Sequence, residues 1–238
     1  MKLRFGIAVL GLLTVATQFG CGGGSSSVLP DPNYRFINFC PDATLDLVVN
    51  DDTEFTNVGF LDATTVFKTV KSELKDFSIQ ETGSTVTIDS QATTLTGNTD
   101  TLVLAYGLNN YGTENEKRLR FSFQTINRIA PNGSKARVYA FNAFNRSVGN
   151  QNFGVVFKNP GTLATITFNA VGFGEVTSQE IDAGSITLVA QRQNTETEVV
   201  SVTKNFEAGK IYFMTLSGNE GGTGALAPAI NFIEIPAH

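Results

Sequence analysis

The sequence predicts an all-β fold, two tandem antiparallel β-sandwiches behind a signal peptide and a flexible tether, and three observations carry that prediction. Short β-branched or aromatic segments follow one another at the ~8–12-residue spacing of sandwiches and barrels, punctuated by turn residues. A set of these segments comes round a second time about a hundred residues later. Only residues 67–75 offer a helical alternative, and a weak one. At 238 residues and 41% hydrophobic, the chain is long enough for two domains and apolar enough to give each a core.

Residues 1–20 read as the signal peptide. Lys2 and Arg4 precede an apolar run over residues 5–16, too short to cross a ~30 Å hydrocarbon core as a helix. Gly20-Cys21 closes it, and Gly22-Gly23-Gly24-Ser25-Ser26-Ser27 opens a solvated tether over residues 21–33. A cysteine at the cleavage point followed by Gly and Ser resembles the lipobox of bacterial lipoproteins, although Gln18 and Phe19 stand where that motif carries Leu and then Ala or Ser. The resemblance implies that Cys21 becomes the lipidated first residue of the mature chain. Acyl chains that each add ~0.8 kcal/mol per buried CH₂ would then hold it to the membrane. Gly22 after the cysteine implies, on the same resemblance, export to the outer membrane, facing the periplasm or the cell surface. Ordinary secretory cleavage near the same place, leaving Cys21 a thiol, is the alternative. Loss of residues 1–20 takes the net charge from −5 to −7.

Strand-like segments begin at Tyr34. Residues 34–39, 45–49, 77–79, 86–88, 102–106 and 120–126 belong to a first sandwich over 34–126, with residues 127–135 as a linker and 136–238 as the second sandwich. Alternation is plain in Phe121-Ser122-Phe123 and Ile186-Thr187-Leu188-Val189-Ala190, and turns stand at Asp51-Asp52, Thr82-Gly83-Ser84, Pro131-Asn132-Gly133 and Ala183-Gly184. The repeat pairs Val58-Gly59-Phe60 with Val171-Gly172-Phe173, and the acids Asp62 and Glu175 follow two residues on. It also pairs residues 46–50 with 154–158, 101–107 with 212–218, Arg120-Phe121-Ser122-Phe123 with Asn231-Phe232-Ile233-Glu234, and Arg35 with Arg137. The offset runs from 102 residues at the first strand to 111 at the last, a drift that loop insertions absorb at little entropic cost.

Arg35-Phe36-Ile37-Asn38-Phe39-Cys40-Pro41-Asp42-Ala43, then an apolar strand ending at Asn50-Asp51, resembles the opening of the bacterial domain of unknown function 4397 family. Ile181-Asp182-Ala183-Gly184-Ser185-Ile186-Thr187-Leu188 and Phe206-Glu207-Ala208-Gly209-Lys210-Ile211-Tyr212 resemble its later strands. Asn38 and Cys40 replace the family's His and Ser, and residues 141–146 lack its Ser-Pro-Asp-Ala signature. The resemblance covers nearly everything from 34 to 236. It implies immunoglobulin-like sandwiches on secreted or lipid-anchored proteins, often in tandem, with no established activity.

Candidate chemistry is sparse. The sole histidine is His238, at a chain end that ordinarily frays, so an internal Ser/His/Asp set is impossible. A negative chain without a basic block argues against nucleic acid. Cys40 reads as a buried small residue, because Asp42 close by would raise its pKa. Asp51, Asp52 and Glu54, with Asp46 and Asp62 near, form a weak calcium candidate without the spacing of a dedicated calcium loop. Residues 21–126 carry seven bases and fourteen acids, against eight and eight in 127–238, which points to the first sandwich for a cation. Gly221-Gly222-Thr223-Gly224 reads as a loop, and Phe141, Phe144 and Phe153 as core, with an exposed binding patch as their alternative. No cofactor and no catalytic set is expected. The function expected is that of an exported, lipid-anchored envelope protein with a non-catalytic binding, adhesion or structural role, meeting the membrane through Cys21 and an envelope protein or surface ligand through its body. A carboxylate-dependent hydrolase and an envelope-assembly subunit pairing through strand edges are the alternatives.

Overall fold

A computed structural model describes residues 29–109, 117–146, 153–161, 166–195 and 197–238. The first half contributes β1 (Asn33–Asn38), β2 (Leu45–Val49), β3 (Asp52–Val58), β4 (Lys68–Thr69), β5 (Lys75–Glu81), β6 (Thr87–Thr93), β7 (Asp100–Tyr106) and β8 (Arg120–Ile126). The second contributes β9 (Lys135–Asn142), β10 (Val155–Lys158), β11 (Thr167–Val171), β12 (Val176–Asp182), β13 (Gly184–Arg192), β14 (Glu198–Phe206), β15 (Ile211–Ser217) and β16 (Ala229–Ile235). A single 3₁₀ turn, Gly224–Leu226, is the one helical element among the described residues. Residues 67–75 run as β4, two bends and the start of β5, so the weak helical alternative is not adopted.

The all-β sandwich expectation holds, and the two halves share one topology. Sheets ordered β4-β1-β7-β8 and β3-β2-β5-β6 in the first half correspond strand for strand to β12-β9-β15-β16 and β11-β10-β13-β14 in the second. The pairing is not purely antiparallel, because β1 runs parallel to β7 and β9 parallel to β15. Register fixes which residues are equivalent. Asn38 Nδ2 donates to the carbonyls of Ala43 (2.8 Å) and Val58 (2.9 Å), while its Oδ1 accepts from Cys40 N (2.7 Å). Asn142 repeats this with Phe153 (2.9 Å), Val171 (3.0 Å) and Phe144 N (3.1 Å). The left-handed residue Asn57 (φ 56°) recurs as Ala170 (φ 51°). Gly107 and Gly218, both at positive φ, end β7 and β15 where a Cβ would meet a carbonyl oxygen at 2.3 Å.

These anchors keep the pairing of Val58 with Val171 and of 101–107 with 212–218 but move three others by two residues. Arg35 corresponds to Tyr139, Leu45 to Val155, and Arg120 to Ala229. Since side chains alternate with period two, such a slip keeps every residue on the correct face and leaves the sequence pattern unchanged.

Three apolar cores are stacked in the molecule. One lies between the sheets of the first half, around Tyr34, Phe36, Leu47 and Phe77, and one between those of the second, around Val138, Phe157, Phe206 and Met214. The third joins the halves, with Ile37, Phe39, Leu104 and Tyr106 facing Tyr139, Phe141, Ile211 and Phe213. The Phe39 ring sits 5.3 Å from that of Phe141 and 5.8 Å from that of Phe213. Both inner sheets are therefore buried on two faces, and every residue of β7 and β15 is buried.

Candidate functional site

Hydrogen bonds and an ion pair tie the connection between the halves to both of them. Asn127 N donates to Tyr139 Oη (2.7 Å), and Arg137 Nη1 donates to the carbonyls of Asn127 (3.0 Å) and Ile129 (2.7 Å). Arg128 pairs with Asp100 at 3.0 Å and donates through Nε to the Pro236 carbonyl at 2.7 Å. His238 does not fray here: its N–H donates to the Arg128 carbonyl (3.2 Å) and its imidazole lies 3.6 Å from Asp100. Beside this knot, Arg35 and Arg128 both approach the Phe67 ring, at 5.9 and 4.0 Å. Burial first, and then the neighbouring Arg128 charge, hold the Arg35 guanidinium below its ordinary pKa.

At the opposite end of β1, the Cys40 thiol is fully buried and donates to Asp42 Oδ1 at 3.0 Å. Burial, followed by that hydrogen bond, pushes its pKa well above the ordinary thiol range, as the sequence indicates. Asp42 also accepts from Asn109 N (3.0 Å), and Glu81 accepts from Asn109 Nδ2 (3.2 Å). Asp42 and Glu81, with Asn57, Phe60 and Thr82, line a cleft of about 580 Å³.

The calcium candidate is divided among other partners. Asp51, at φ 69°, and Asp52 lie exposed at the turn between β2 and β3, whereas Glu54 pairs with Lys68 Nζ at 2.8 Å. Asp46 accepts from Asn57 N (2.8 Å) and Thr82 Oγ1 (2.6 Å). Among the described residues no group of three or more His, Cys, Asp or Glu side chains could hold a metal ion. Phe141 lies in the core between the halves, Phe144 in the second sandwich, and Phe153 packs against it, so none forms an exposed patch. Gly221 and Gly222 belong to the loop before the 3₁₀ turn. Cys21 falls outside the described residues, among which no helix is long and apolar enough to cross a membrane.

Sequence reasoning missed a second cleft, of about 400 Å³, at the side of the second sandwich between β12 and the start of β13. Its apolar wall is Ile166, Ile181 and Ile186, and its polar rim holds Lys135, Asn159, Glu180 and Asp182. Lys135 pairs with Asp182 at 2.8 Å and Arg137 with Glu180 at 2.6 Å, so the rim charges are balanced. Gln179 also lines it, with its Oε1 buried and without a hydrogen-bond partner among the described residues. No sequence signal marks Gln179, because its position depends on the register of β12 against β9.

No protein-family model matches the chain, and no curated protein does either. A solved structure, that of a proposed cell adhesion protein from Bacteroides ovatus, shares 11% identity over 88% of this chain and 98% of its own, with a TM-score of 0.23. A likeness of that size carries no argument about function.

Proposed function

We propose that this chain is an exported, lipid-anchored cell-envelope protein with a non-catalytic binding or structural role, a tandem member of the domain of unknown function 4397 family. The observation that supports this most is the third core: it joins the two sandwiches through shared apolar side chains, an arrangement suited to presenting surfaces at a set spacing. The Gly/Ser run after Cys21 would supply the flexible stand-off. Membrane attachment through Cys21 puts that body in the envelope, on the outer membrane. The hydrolase reading has one observation in its favour, the cleft that holds both Asp42 and Glu81. Both carboxylates there accept hydrogen bonds from Asn109, which suits them to fixing a loop.

Cell fractionation of the Cys21→Ser variant tests the anchor. The parent chain is expected in the membrane fraction and the variant in the soluble periplasmic fraction. An unchanged membrane fraction would sink the lipid attachment and with it this reading.

A further inference from the structure

The two halves differ in the side chains beside the cleft in the second. In the first, Tyr34 faces Lys68 across β1 and β4, and Lys68 reaches over the Phe55 ring at 4.7 Å to pair with Glu54. That ion pair ties β3 to β4. In the second half Val138 occupies the place of Tyr34, and its partner across β9 and β12 is Gln179. Phe168 takes the place of Phe55, and the residue before it is the neutral Thr167 where Glu54 precedes Phe55. The latch is thus replaced by two neutral side chains, and Gln179, on the same face of β12 as the core residue Ile181, is left with an unpartnered amide oxygen.

We propose that this cleft is a binding site for a small, neutral, hydroxyl-bearing ligand, a single sugar ring. Its size falls in the ~300–1,000 Å³ range of small-molecule pockets. Balanced ion pairs at the rim disfavour a charged guest, while the buried Gln179 Oε1 offers an acceptor for a hydroxyl donor. The isoleucine wall takes the C–H face of the ring. The last torsion of glutamine is soft and roughly two-fold, so a small rotation brings the unpaired amide oxygen to a hydroxyl. A buried acceptor without a partner is costly, and a ligand that satisfies it recovers that cost.

This site extends the binding role proposed above, and its test is separate from that of the anchor. Glucose, galactose and N-acetylglucosamine are each titrated to about 50 mM against the ¹⁵N-labelled full chain, a range that saturates millimolar affinities. At least one sugar is expected to move, saturably, the Gln179 side-chain resonances and the backbone amides from Asp182 to Ile186, while acetate leaves them in place. The double variant Thr167→Glu, Gln179→Lys, which rebuilds the latch, is expected to abolish those shifts. Gln179→Leu, which keeps the bulk and removes the acceptor, is expected to weaken binding roughly tenfold or more. Absence of shifts with all three sugars overturns the proposal, as do shifts that persist unchanged in a folded Gln179→Leu chain.

Discussion

At the scale of single residues, burial decides what each group can do. Among the described residues Cys40 has no disulfide partner, yet its sulfur is enclosed and its proton is held by Asp42. Its folded pKa lies above that of the unfolded thiol, so its contribution is fully present below about pH 8.5 and is lost as the pH rises toward the folded value. Two outcomes follow: Cys40 in the folded chain stays unlabelled by thiol reagents near pH 8, and unfolding free energy declines above that pH. The decline from this one group is at most about 1.4 kcal/mol per pH unit, and Cys40→Ala removes it. Rapid labelling of Cys40 itself in the folded chain, or an identical alkaline decline in the alanine variant, would contradict this account. The Cys40–Asp42 relation was legible because the partners are two residues apart. Gln179 was not, since its partner in the first half can be named only after both registers are known.

For the strand elements, the two-residue slip in the sequence alignment of the halves has a physical origin. Alternating strands such as β2 and β10 show the same apolar pattern after a shift of two, so periodicity reveals the strand and its face but not its register. Register is set instead by isolated polar residues, above all Asn38 and Asn142, each holding one loop carbonyl, the carbonyl of a strand-end valine and one N–H at the end of its own strand. Asn142→Ala leaves those buried groups unsatisfied and is expected to cost about 3 kcal/mol in urea unfolding. A loss below about 0.5 kcal/mol, the size of an ordinary surface change, would remove the register role. Strand β6 was only half legible for a different reason. It continues as Asp89-Ser90-Gln91-Ala92-Thr93 along a sheet edge, where polar side chains are favoured and hydrophobic periodicity disappears.

On the scale of the whole molecule, the signal for the third core was present in Leu102-Val103-Leu104-Ala105-Tyr106 and Ile211-Tyr212-Phe213-Met214. Unbroken apolar runs mark strands covered on both faces, whereas a sandwich facing solvent needs only every second residue. Reading them simply as sandwich strands left their outer faces unaccounted for; those faces meet each other. Because the halves share this core, the described chain is expected to unfold in one cooperative transition by calorimetry. Phe213→Ala, which opens a cavity between the halves, is expected to lower stability by about 3–5 kcal/mol while keeping that single transition. Two resolved transitions in the parent chain would show that the halves are energetically independent.

The parallel pairing of β1 with β7 has a mechanical consequence. A pull on the chain ahead of Asn33, such as a tether would deliver, runs along β1 and loads its six-residue ladder to β7 in shear. All of those hydrogen bonds then strain together instead of parting one after another. Asn33 and His238 both lie against Asp100, so β1 begins and the last residue lies at one pole, with the Asp42 loop at the other. Tension between an attachment ahead of Asn33 and a partner that grips the rest of the body would therefore run lengthwise through that ladder, the direction in which a β-sheet yields least.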